Sequence, residues 1–382
     1  MRTVAGWLRE HSGQRAWRVS LMAAVLTLGI SGPAVAGATT LADANERQAL
    51  TLSDYSHTVL QAITQAGQRL VAVGERGLVL LSDDAGKHWR QAQVPVSVTL
   101  TAVQFVSPQQ GWATGHFGTV MHTGDGGETW QVQLDGVRAA DLTLAEAQAR
   151  AAQAAPDDVA MLRELRNAQL LVQDGPDKPF MDLHFFDERH GIVIGAYNLI
   201  LATEDGGQSW RSIAGAVDNP GARHLYALSQ VAGSLYIVGE EGRIYRSDDR
   251  GASFTRLDTP YEGSLFTVAG EGDTVVVAGL RGNAYRSADR GMSWQAITLP
   301  VPVSVNASLV SADGELLLAN QAGMVLSSRD NGRSVRPLVD QPLPPLTGLL
   351  RLNDRRLLAT SLQGLIELPL SPQSPSHPNS DR

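Results

Sequence analysis

Short apolar runs alternate with glycine-containing turns along most of the chain. One unit reads LTAVQFV, GWATG, TVMHT and TWQVQ, and an earlier unit reads LQAIT, RLVAVG, GLVLL and HWRQA. The runs have the length of β-strands, and they are rich in β-branched, aromatic and aliphatic residues. The pattern predicts an all-β chain built from a repeating unit of four strands.

A motif of eight residues with a central aspartate lies between the third and fourth predicted strands. It reads SDDAGKHW, TGDGGETW and TEDGGQSW in its clearest copies. The central aspartates are Asp84, Asp125, Asp205, Asp249, Asp289 and Asp330. They are separated by 41, 80, 44, 40 and 41 residues, so the longest gap holds one repeat plus an insertion. Four strands per repeat of this length predict the blades of a β-propeller.

The span of the repeats predicts seven blades within residues 37–370. The last unit, LTGLLRL, RRLLATS and GLIELPL, has only three apolar runs and no aspartate motif. A spare run, ALTLSDYS, occupies Ala49–Ser56 before the first unit. We predict that this run joins the last blade as its missing strand, because that pairing would close the ring and hide two open sheet edges.

The insertion at residues 137–178, between blades two and three, has helical periodicity. TLAEAQARAAQAA is rich in helix formers, with a predicted capping box at Thr143 and Glu146, and a second helix follows Pro156–Asp157 and ends at Gly175–Pro176. The second helix carries a predicted apolar stripe at Val159, Leu162, Leu165, Gln169 and Val172. Two interpretations stay open: the stripe packs on the propeller, or the hairpin is a lid or docking arm over the channel mouth.

The first 36 residues predict a secretory signal peptide. Four arginines precede LMAAVLTLGI, and Ala34 and Ala36 form an A-x-A site, so cleavage is expected after Ala36. An uncleaved anchor is the alternative, although the apolar run is short for a bilayer. We expect a periplasmic, soluble and monomeric mature chain. Its Pro- and Ser-rich tail at 371–382 is expected to be disordered.

Composition narrows the possible partners and cofactors. The formal net charge of −8 becomes more negative without the basic N-terminus, which argues against nucleic-acid binding. The absence of cysteine excludes disulfides and attachment of a lipid to a cysteine, so an exported chain must rely on its core. Neither a histidine spacing typical of metal sites nor a phosphate-binding loop is present, so no metal and no cofactor is predicted.

The repeated aspartate is predicted to be structural. An Asp side chain can accept N–H bonds within its own turn, the glycine two residues later permits a positive φ, and the terminal aromatic fills space between sheets. The alternative is a repeated catalytic group or metal ligand. It is weak because equivalent carboxylates around a ring lie too far apart to share one substrate.

The turns between second and third strands predict a surface for a partner. They repeat a G-x-x-G frame with variable contents, as in GERG, GHFG, GEEG and GLRG, on the face opposite to the aspartate motifs. The alternative is that these are simply exposed polar turns. The variable residues are Glu75, Arg76, His116, Phe117, Tyr197, Glu240, Glu241, Arg281 and Gln363. Together they mix charge and aromatic groups, as protein interfaces do.

The aspartate motif resembles the Asp box of sialidases and sortilin-type receptors, and we use that name below. The resemblance makes a glycan-binding or glycan-cleaving propeller the alternative function. It stops at the motif, because the chain lacks the Arg-Ile-Pro phrase of sialidases. The tyrosines mostly fall at strand positions typical of a core. Xyloglucan hydrolases with Asp boxes use two propellers, whereas this chain predicts one. We therefore predict no catalytic residue and no enzyme.

A closer resemblance covers nearly the whole predicted mature chain. VAVGERGLVLLSDDAGKHW, GWATGHFGTVMHTGDGGETW and VVVAGLRGNAYRSADRGMSW are similar to the photosystem II stability and assembly factor family. The resemblance implies a non-enzymatic scaffold for subunits of a membrane protein complex, with an arginine patch. The matching positions are Arg76 and Arg281, with Arg243, Arg246 and Arg286 as weaker candidates.

The chain departs from this family pattern in two ways. It carries the helical insertion, and its predicted rim holds Glu75, Glu240 and Glu241, which would partly neutralise an arginine patch. The expected partner is therefore a membrane complex contacted through the rim and the insertion. In a non-photosynthetic bacterium that complex would be another envelope complex or an exporter.

Overall fold

The computed structural model describes residues 43–339, 341 and 343–370, and within them seven antiparallel sheets form a ring. Six sheets have four strands and the seventh has three. We number strands and helices in chain order. Blades one to three contain β1 Leu60–Ala66, β2 Arg69–Gly74, β3 Val79–Ser82, β4 Arg90–Gln91, β5 Leu100–Phe105, β6 Gly111–Gly115, β7 Val120–Thr123, β8 Gln131–Leu134, β9 Phe180–Phe185, β10 Gly191–Gly195, β11 Ile200–Thr203 and β12 Arg211–Ser212.

Blades four to seven continue the same strand order. They contain β13 Leu225–Val231, β14 Ser234–Gly239, β15 Ile244–Ser247, β16 Thr255–Leu257, β17 Leu265–Glu271, β18 Thr274–Gly279, β19 Ala284–Ser287, β20 Gln295–Ala296, β21 Val305–Val310, β22 Leu316–Asn320, β23 Val325–Ser328, β24 Arg336–Pro337, β25 Leu346–Asn353, β26 Arg356–Ser361 and β27 Gly364–Pro369. Helices α1 Gly136–Ala151 and α2 Val159–Asp174 lie between blades two and three. The predicted seven-bladed propeller with a helical hairpin is confirmed.

The second strand of each blade is apolar along most of its length because it is covered on both faces. SLYIVG in β14 and LLLAN in β22 are buried at every position. Neighbouring blades share apolar clusters, and the Trp112 and Phe185 rings stack 3.8 Å apart between blades two and three. The innermost strands β1 and β25 pack against each other, and the Thr347 hydroxyl donates to the Leu60 carbonyl at 2.6 Å. Side-chain packing between blades one and seven therefore closes the ring.

The predicted closing strand at 49–56 is wrong. Ala49 N donates to Val94 O at 3.1 Å and Leu52 N donates to Gln91 Oε1 at 2.9 Å, so the segment is held by blade one. Asp54 then bends the chain, because its side chain accepts from the Ser56 amide at 2.9 Å in an Asx turn. Hydrogen bonds to blade one and a local turn thus replace the predicted pairing with blade seven.

The hairpin ends where glycine was predicted, but its helices are capped and oriented differently. Asp135 accepts from Arg138 N at 2.9 Å and is the N-cap of α1. Thr143 is therefore buried inside the helix, where its hydroxyl donates to Ala139 O at 2.8 Å, and it forms no capping box. In α2, Met161 and Leu171 are buried whereas Val159 is 69% exposed. The predicted stripe consequently faces solvent over much of its length.

The predicted signal segment at 1–36 and the tail at 371–382 lie outside the described residues. Of residues 43–339, 341 and 343–370, none belongs to a helix that is long and apolar enough to cross a membrane.

Candidate protein-binding rim

The turns between second and third strands, which we call the rim, lie opposite the Asp boxes because consecutive strands are antiparallel. In four blades the turn is one short 3-10 turn, at Glu75–Gly77, Ala196–Asn198, Glu240–Gly242 and Leu280–Gly282. The same blade position is thus repeated around one end of the propeller, and its variable residues are brought to one face, as the sequence predicts.

Five large side chains of the rim lie on left-handed backbone. They are Arg76 (φ 55°), Phe117 (φ 57°), Tyr197 (φ 55°), Glu241 (φ 53°) and Arg281 (φ 57°). This conformation costs a non-glycine residue about 1–2 kcal/mol. The following residue is glycine in four of the five turns. At Gly242 a Cβ would collide with the carbonyl oxygen of Tyr261. The fold therefore holds one strained, variable residue at the same place in five blades.

Arg76 and Arg281 are exposed and form no ion pair within the described part of the chain. The rim acids are engaged elsewhere. Glu75 Oε1 accepts from Val59 N at 3.2 Å. The expected neutralisation of the two arginines by Glu75, Glu240 and Glu241 is therefore not observed.

The two acids of blade four bind groups of their own blade. Glu240 Oε2 accepts from the His224 amide at 2.9 Å, and Glu241 pairs with Arg223 at 2.8 Å. The Arg223 guanidinium lowers the pKa of the Glu241 carboxyl. Arg243 also pairs with Glu241, at 3.4 Å, so it belongs to this cluster and its charge is partly balanced.

An aromatic run that the sequence did not predict crosses the rim from blade three to blade five. The rings of Tyr197 and His224 meet edge to face at 4.6 Å, His224 and Tyr226 lie 6.1 Å apart, and Tyr226 and Phe266 meet edge to face at 5.2 Å. Tyr226 and Phe266 are the second residues of β13 and β17, at the rim end of the innermost strands. The sequence signal that could have revealed this aromatic run is that both residues occupy the same position of their repeats.

Some tyrosines lie in the core and others belong to the aromatic run of the rim. Tyr236 and Tyr245 are buried, as predicted for core residues, whereas Tyr226 is half-buried and Tyr197 is 47% exposed. His116 is exposed beside Phe117, which is half-buried, and Gln363 is exposed on blade seven. The rim thus offers aromatic, cationic and polar groups together.

The structure places Arg246 and Arg286 away from the rim, so their assignment to it is wrong. Arg246 Nη1 donates to the Arg290 carbonyl at 3.1 Å, and Arg286 Nε donates to the Asn331 carbonyl at 2.9 Å. Both acceptors lie in Asp boxes of the next blade. Each arginine follows the rim by only a few residues, but its strand carries it towards the opposite face.

Each Asp box closes its own turn with the aspartate side chain. In blade two, Asp125 Oδ1 accepts from Thr123 Oγ1 at 2.8 Å and from Thr129 N at 3.0 Å, and Oδ2 accepts from Thr129 Oγ1 at 2.6 Å. Hydrogen bonds from Ser209, in the box of blade three, lower the pKa of Asp205 to about 2. Both oxygens of these carboxylates therefore accept hydrogen bonds within their own turns.

The carbonyl after the box aspartate ties the turn to the preceding blade. In five of the six boxes of the described chain it accepts a side-chain donor from that blade. The pairs are Arg356 to Ala85, Arg69 to Gly126, Trp112 to Gly206, Arg246 to Arg290 and Arg286 to Asn331. On the Asp-box face, hydrogen bonds of this kind therefore connect most neighbouring blades around the propeller.

The helical hairpin, which we call the arm, is fixed to the rim side of blades two and three. Gly136 N donates to Phe117 O at 2.8 Å, and Asn167 Nδ2 donates to Pro220 O at 3.3 Å. Helix α1 also packs against the outer strand β12. These contacts join the arm to the rim turn of blade two, to the outer strand of blade three and to the connection that follows that strand.

Comparison with known proteins identifies the family. The family model described as photosynthesis system II assembly factor YCF48 matches residues 87–147 and 165–373, which is more than half of the chain. This chain belongs to that family. The photosystem II assembly lipoprotein Ycf48 of Synechococcus sp. (strain CC9902) is 29% identical over 85 residues, which are 22% of this chain and only 26% of that relative.

Two solved structures share the fold at low identity. The structure titled YCF48 bound to D1 peptide has a TM-score of 0.59 and 15% identity, and the match covers 87% of this chain and 99% of that one. The GH74 xyloglucanase from Xanthomonas campestris also has a TM-score of 0.59, with 12% identity, 85% of this chain and 53% of that one. The chain therefore spans about half the length of the enzyme that it resembles.

No cluster of three or more His, Cys, Asp or Glu side chains that could hold a metal ion occurs among residues 43–339, 341 and 343–370. The largest set of repeated carboxylates is that of the Asp boxes, whose oxygens are bound by hydroxyl and amide donors.

Proposed function

We propose that this chain is a non-enzymatic scaffold of the periplasm that binds a subunit of a membrane protein complex on its rim. The observation that carries the proposal is the set of five bulky side chains held on left-handed backbone at one blade position. Backbone strain at several equivalent positions is typical of functional surfaces. Arg76 and Arg281 add cations whose charge is free to meet an acidic partner.

Family membership supports this function, and one relative is described as bound to a D1 peptide. For this chain we propose the same type of activity, the capture of a segment of a membrane-protein subunit. The subunit belongs to a photosystem or, in a bacterium without one, to another envelope complex or an exporter. The periplasmic location rests on the predicted signal segment.

A site-specific crosslinking experiment tests the proposal. A photo-crosslinking residue is placed at Arg281 on the rim or at Met292, which is 73% exposed on the Asp-box face. Both chains are incubated with membranes of the source organism, and crosslinked proteins are identified by mass spectrometry. We expect a membrane-protein subunit from Arg281 and none from Met292. Equal capture at both positions, or none at either, would contradict the proposal.

Point probes are preferable to removal of residues 137–178. Ala139, Ala140 and Leu171 of the arm belong to the same apolar cluster as Trp112 and Phe180 of the blades. Deleting the arm would uncover this cluster, and lost binding could then reflect lost stability. Probes at exposed arm residues, such as Leu162, report contact with a partner without opening the core.

Glycan binding is the second candidate function, and the aromatic run favours it. Tyr197, His224, Tyr226 and Phe266 lie next to one another at the rim end of blades three to five, and aromatic faces suit sugar rings. A glycan array with the full chain tests this function. Binding that Tyr226→Ala abolishes, without any protein crosslink from Arg281, would replace the scaffold by a glycan-binding propeller.

A further inference from the structure

Blade seven has an open edge. In each of the other six blades, a fourth strand of two to four residues covers the third strand. Within residues 43–339, 341 and 343–370, β27 has a partner on one side only, which is β26. An unpaired edge strand offers backbone donors and acceptors to another chain.

The register of β26 and β27 identifies the free backbone groups. Leu370 N donates to Arg355 O at 2.8 Å, so this pair is hydrogen-bonded. Hydrogen-bonded and non-hydrogen-bonded pairs alternate in an antiparallel ladder. The N–H and C=O groups of Leu365 and Glu367 therefore face outward, together with the C=O of Pro369. This short row is long enough for a strand of two or three residues, the length used in most other blades.

Grooves lie on both faces of this edge. The groove between blades six and seven has a volume of about 920 Å³ and includes Leu338, Leu343, Ile366 and Leu368. The groove between blades seven and one has a volume of about 490 Å³ and includes Tyr55 and Leu365. Glu367 borders both grooves, so the two cavities meet at the open edge.

The groove between blades six and seven is the place of a missing aromatic side chain. In blade one, Trp89 precedes β4 directly and packs against Leu358 and Leu365 of the preceding blade. In blade two, Trp130 precedes β8 and packs beside Leu81 of the preceding blade. Blade seven has no such residue in the described chain. By the same geometry, its aromatic would lie between blades six and seven.

We propose that β27 binds an extended segment of another polypeptide as the fourth strand of blade seven. The segment carries an aromatic residue directly before two or three paired residues, and this aromatic ring fills the groove beside Leu338 and Leu368. Such strand addition takes affinity from backbone hydrogen bonds and specificity from side-chain pockets. The site is separate from the rim and does not depend on the function proposed above.

The chain itself is poorly suited to fill the site. Its segment at 43–56 is hydrogen-bonded to blade one through Ala49 and Leu52. After Leu370, prolines stand at positions 372, 375 and 378. Proline has no N–H to donate to a ladder and is excluded from most strand positions. Five of the six complete blades instead show which sequence fits, an aromatic residue followed by an extended pair; blade six has Val335 at the aromatic position.

A peptide copied from the chain provides the probe. The fluorescein-labelled peptide GETWQVQLD reproduces Gly127–Asp135, which contains Trp130 and the strand β8. Its binding to the full chain is measured by fluorescence anisotropy. Two variants are compared, Glu367→Pro and Glu367→Ala. Both lose the ion pair of Glu367 with Arg356 at 2.6 Å, but only the proline removes an outward N–H, and it leaves the ladder to β26 intact.

We expect the peptide to bind, and we expect Glu367→Pro to weaken binding at least about tenfold while Glu367→Ala changes it less than about twofold. A peptide with alanine in place of tryptophan should bind about tenfold more weakly as well. If Glu367→Pro impairs folding, N-methylation of alternate peptide amides replaces it, and retained binding would overturn the proposal.

Three results would contradict the proposal. One is that the wild-type chain does not bind the peptide. Another is equal affinity of the proline and alanine variants. The third is that this chain itself occupies the edge of β27. A second copy would be indicated if sedimentation showed a dimer that Glu367→Pro dissociates. The chain's own C-terminal segment would be indicated if the peptide bound only after residues 371–382 were deleted. The rim crosslinks from Arg281 are read separately, so failure here leaves them unchanged.

Discussion

The two ends of the propeller use the same residue type for opposite purposes. At the Asp-box end, Arg69, Arg246 and Arg286 donate to carbonyl groups of the next blade. At the rim end, Arg76 and Arg281 are exposed, and in the described chain they pair with no acid. The repeat position of an arginine, and not its presence, decides whether it links blades or stays exposed on the rim.

The contrast extends to the turns themselves. The Asp boxes repeat a nearly fixed set of groups, in which the central aspartate accepts hydrogen bonds from hydroxyl and amide groups of its own turn. The rim turns keep only their glycine frame and vary at the strained position. Under the proposed function, this repeat protein separates stability from recognition by assigning them to opposite ends of the same strands.

The largest expected effect compares two arginines of blade five. Arg286 is 6% exposed and donates to Asn331 O and to Gln295 Oε1, both at 2.9 Å. Arg286→Ala should lower the free energy of unfolding by about 2–3 kcal/mol, because charged hydrogen bonds are lost in a buried place. Arg281→Ala on the rim should change it by less than about 0.5 kcal/mol. Urea unfolding of both variants measures the difference, and equal losses would remove the distinction between the two ends.

A second comparison concerns the box aspartate. Asp125→Ala removes three accepted hydrogen bonds and should cost about 1–2 kcal/mol of the free energy of unfolding. Asp141→Ala, at an exposed position of the arm, is the matched control and should stay within about 0.5 kcal/mol. Thermal unfolding measures both, and crosslinking from Arg281 should survive in the Asp125 variant below its melting temperature. Lost crosslinking with an unchanged melting temperature would assign the box to recognition.

The acid stability of the chain tests the boxes as a set. Hydrogen bonds from Ser209, Ser287 and Ser334 lead the causes that lower the pKa values of Asp205, Asp289 and Asp330 to about 2. An aspartate of the unfolded chain titrates near about 3.9. The stabilisation by these carboxylates is therefore complete above about pH 4 and is lost as the pH falls towards about 2.

Urea midpoints between pH 4 and pH 2 measure this loss. Burial raises the pKa of Asp182 to about 7, so this group changes stability only at higher pH and does not interfere. Ser209→Ala should shift part of the loss to higher pH, because it removes the main donor to Asp205. A midpoint that stays constant down to pH 2 would show that the boxes contribute little as charged groups.

The smallest effect on stability is expected at the rim. Arg76→Glu combined with Arg281→Glu should change the free energy of unfolding by less than about 1 kcal/mol, because both side chains are exposed. Crosslinking of the membrane subunit from a probe at Tyr197 should fall about tenfold, since rim charges steer an acidic partner. Arg256→Glu with Arg333→Glu makes the same charge change away from the rim and should leave the yield unchanged. Equal losses from both pairs would indicate a general effect of charge.

The fold was predictable because each blade carries its own strand pattern and turn glycines, and the first six blades also carry an Asp box. The repeat spacing is local information, and seven copies of it agree with one another. The rim turns were predictable for the same reason, since the glycine frame marks them. Arg246 and Arg286 were misassigned because sequence distance from a turn does not tell to which end of a strand a side chain reaches.

The segment at 49–56 and the arm show what local patterns miss. ALTLSDYS has the composition of a strand, yet its hydrogen bonds go to Gln91 and Val94 of blade one. The arm offered more than one apolar stripe. Packing on helix α1 buries Met161 and packing on the blades buries Leu171, whereas Val159 stays exposed. In both cases the same local sequence was compatible with several different packing partners.

The sequence by itself determined the number of blades, the position of the helical hairpin and the two faces, because repeated local patterns specify strands and turns. Only the tertiary structure decided which arginines are buried, which face of α2 meets solvent, and that β27 of blade seven has a strand partner on one side only within the described residues. These outcomes depend on contacts between residues far apart in the chain. Periodicity cannot specify them, because it describes only neighbours along the sequence.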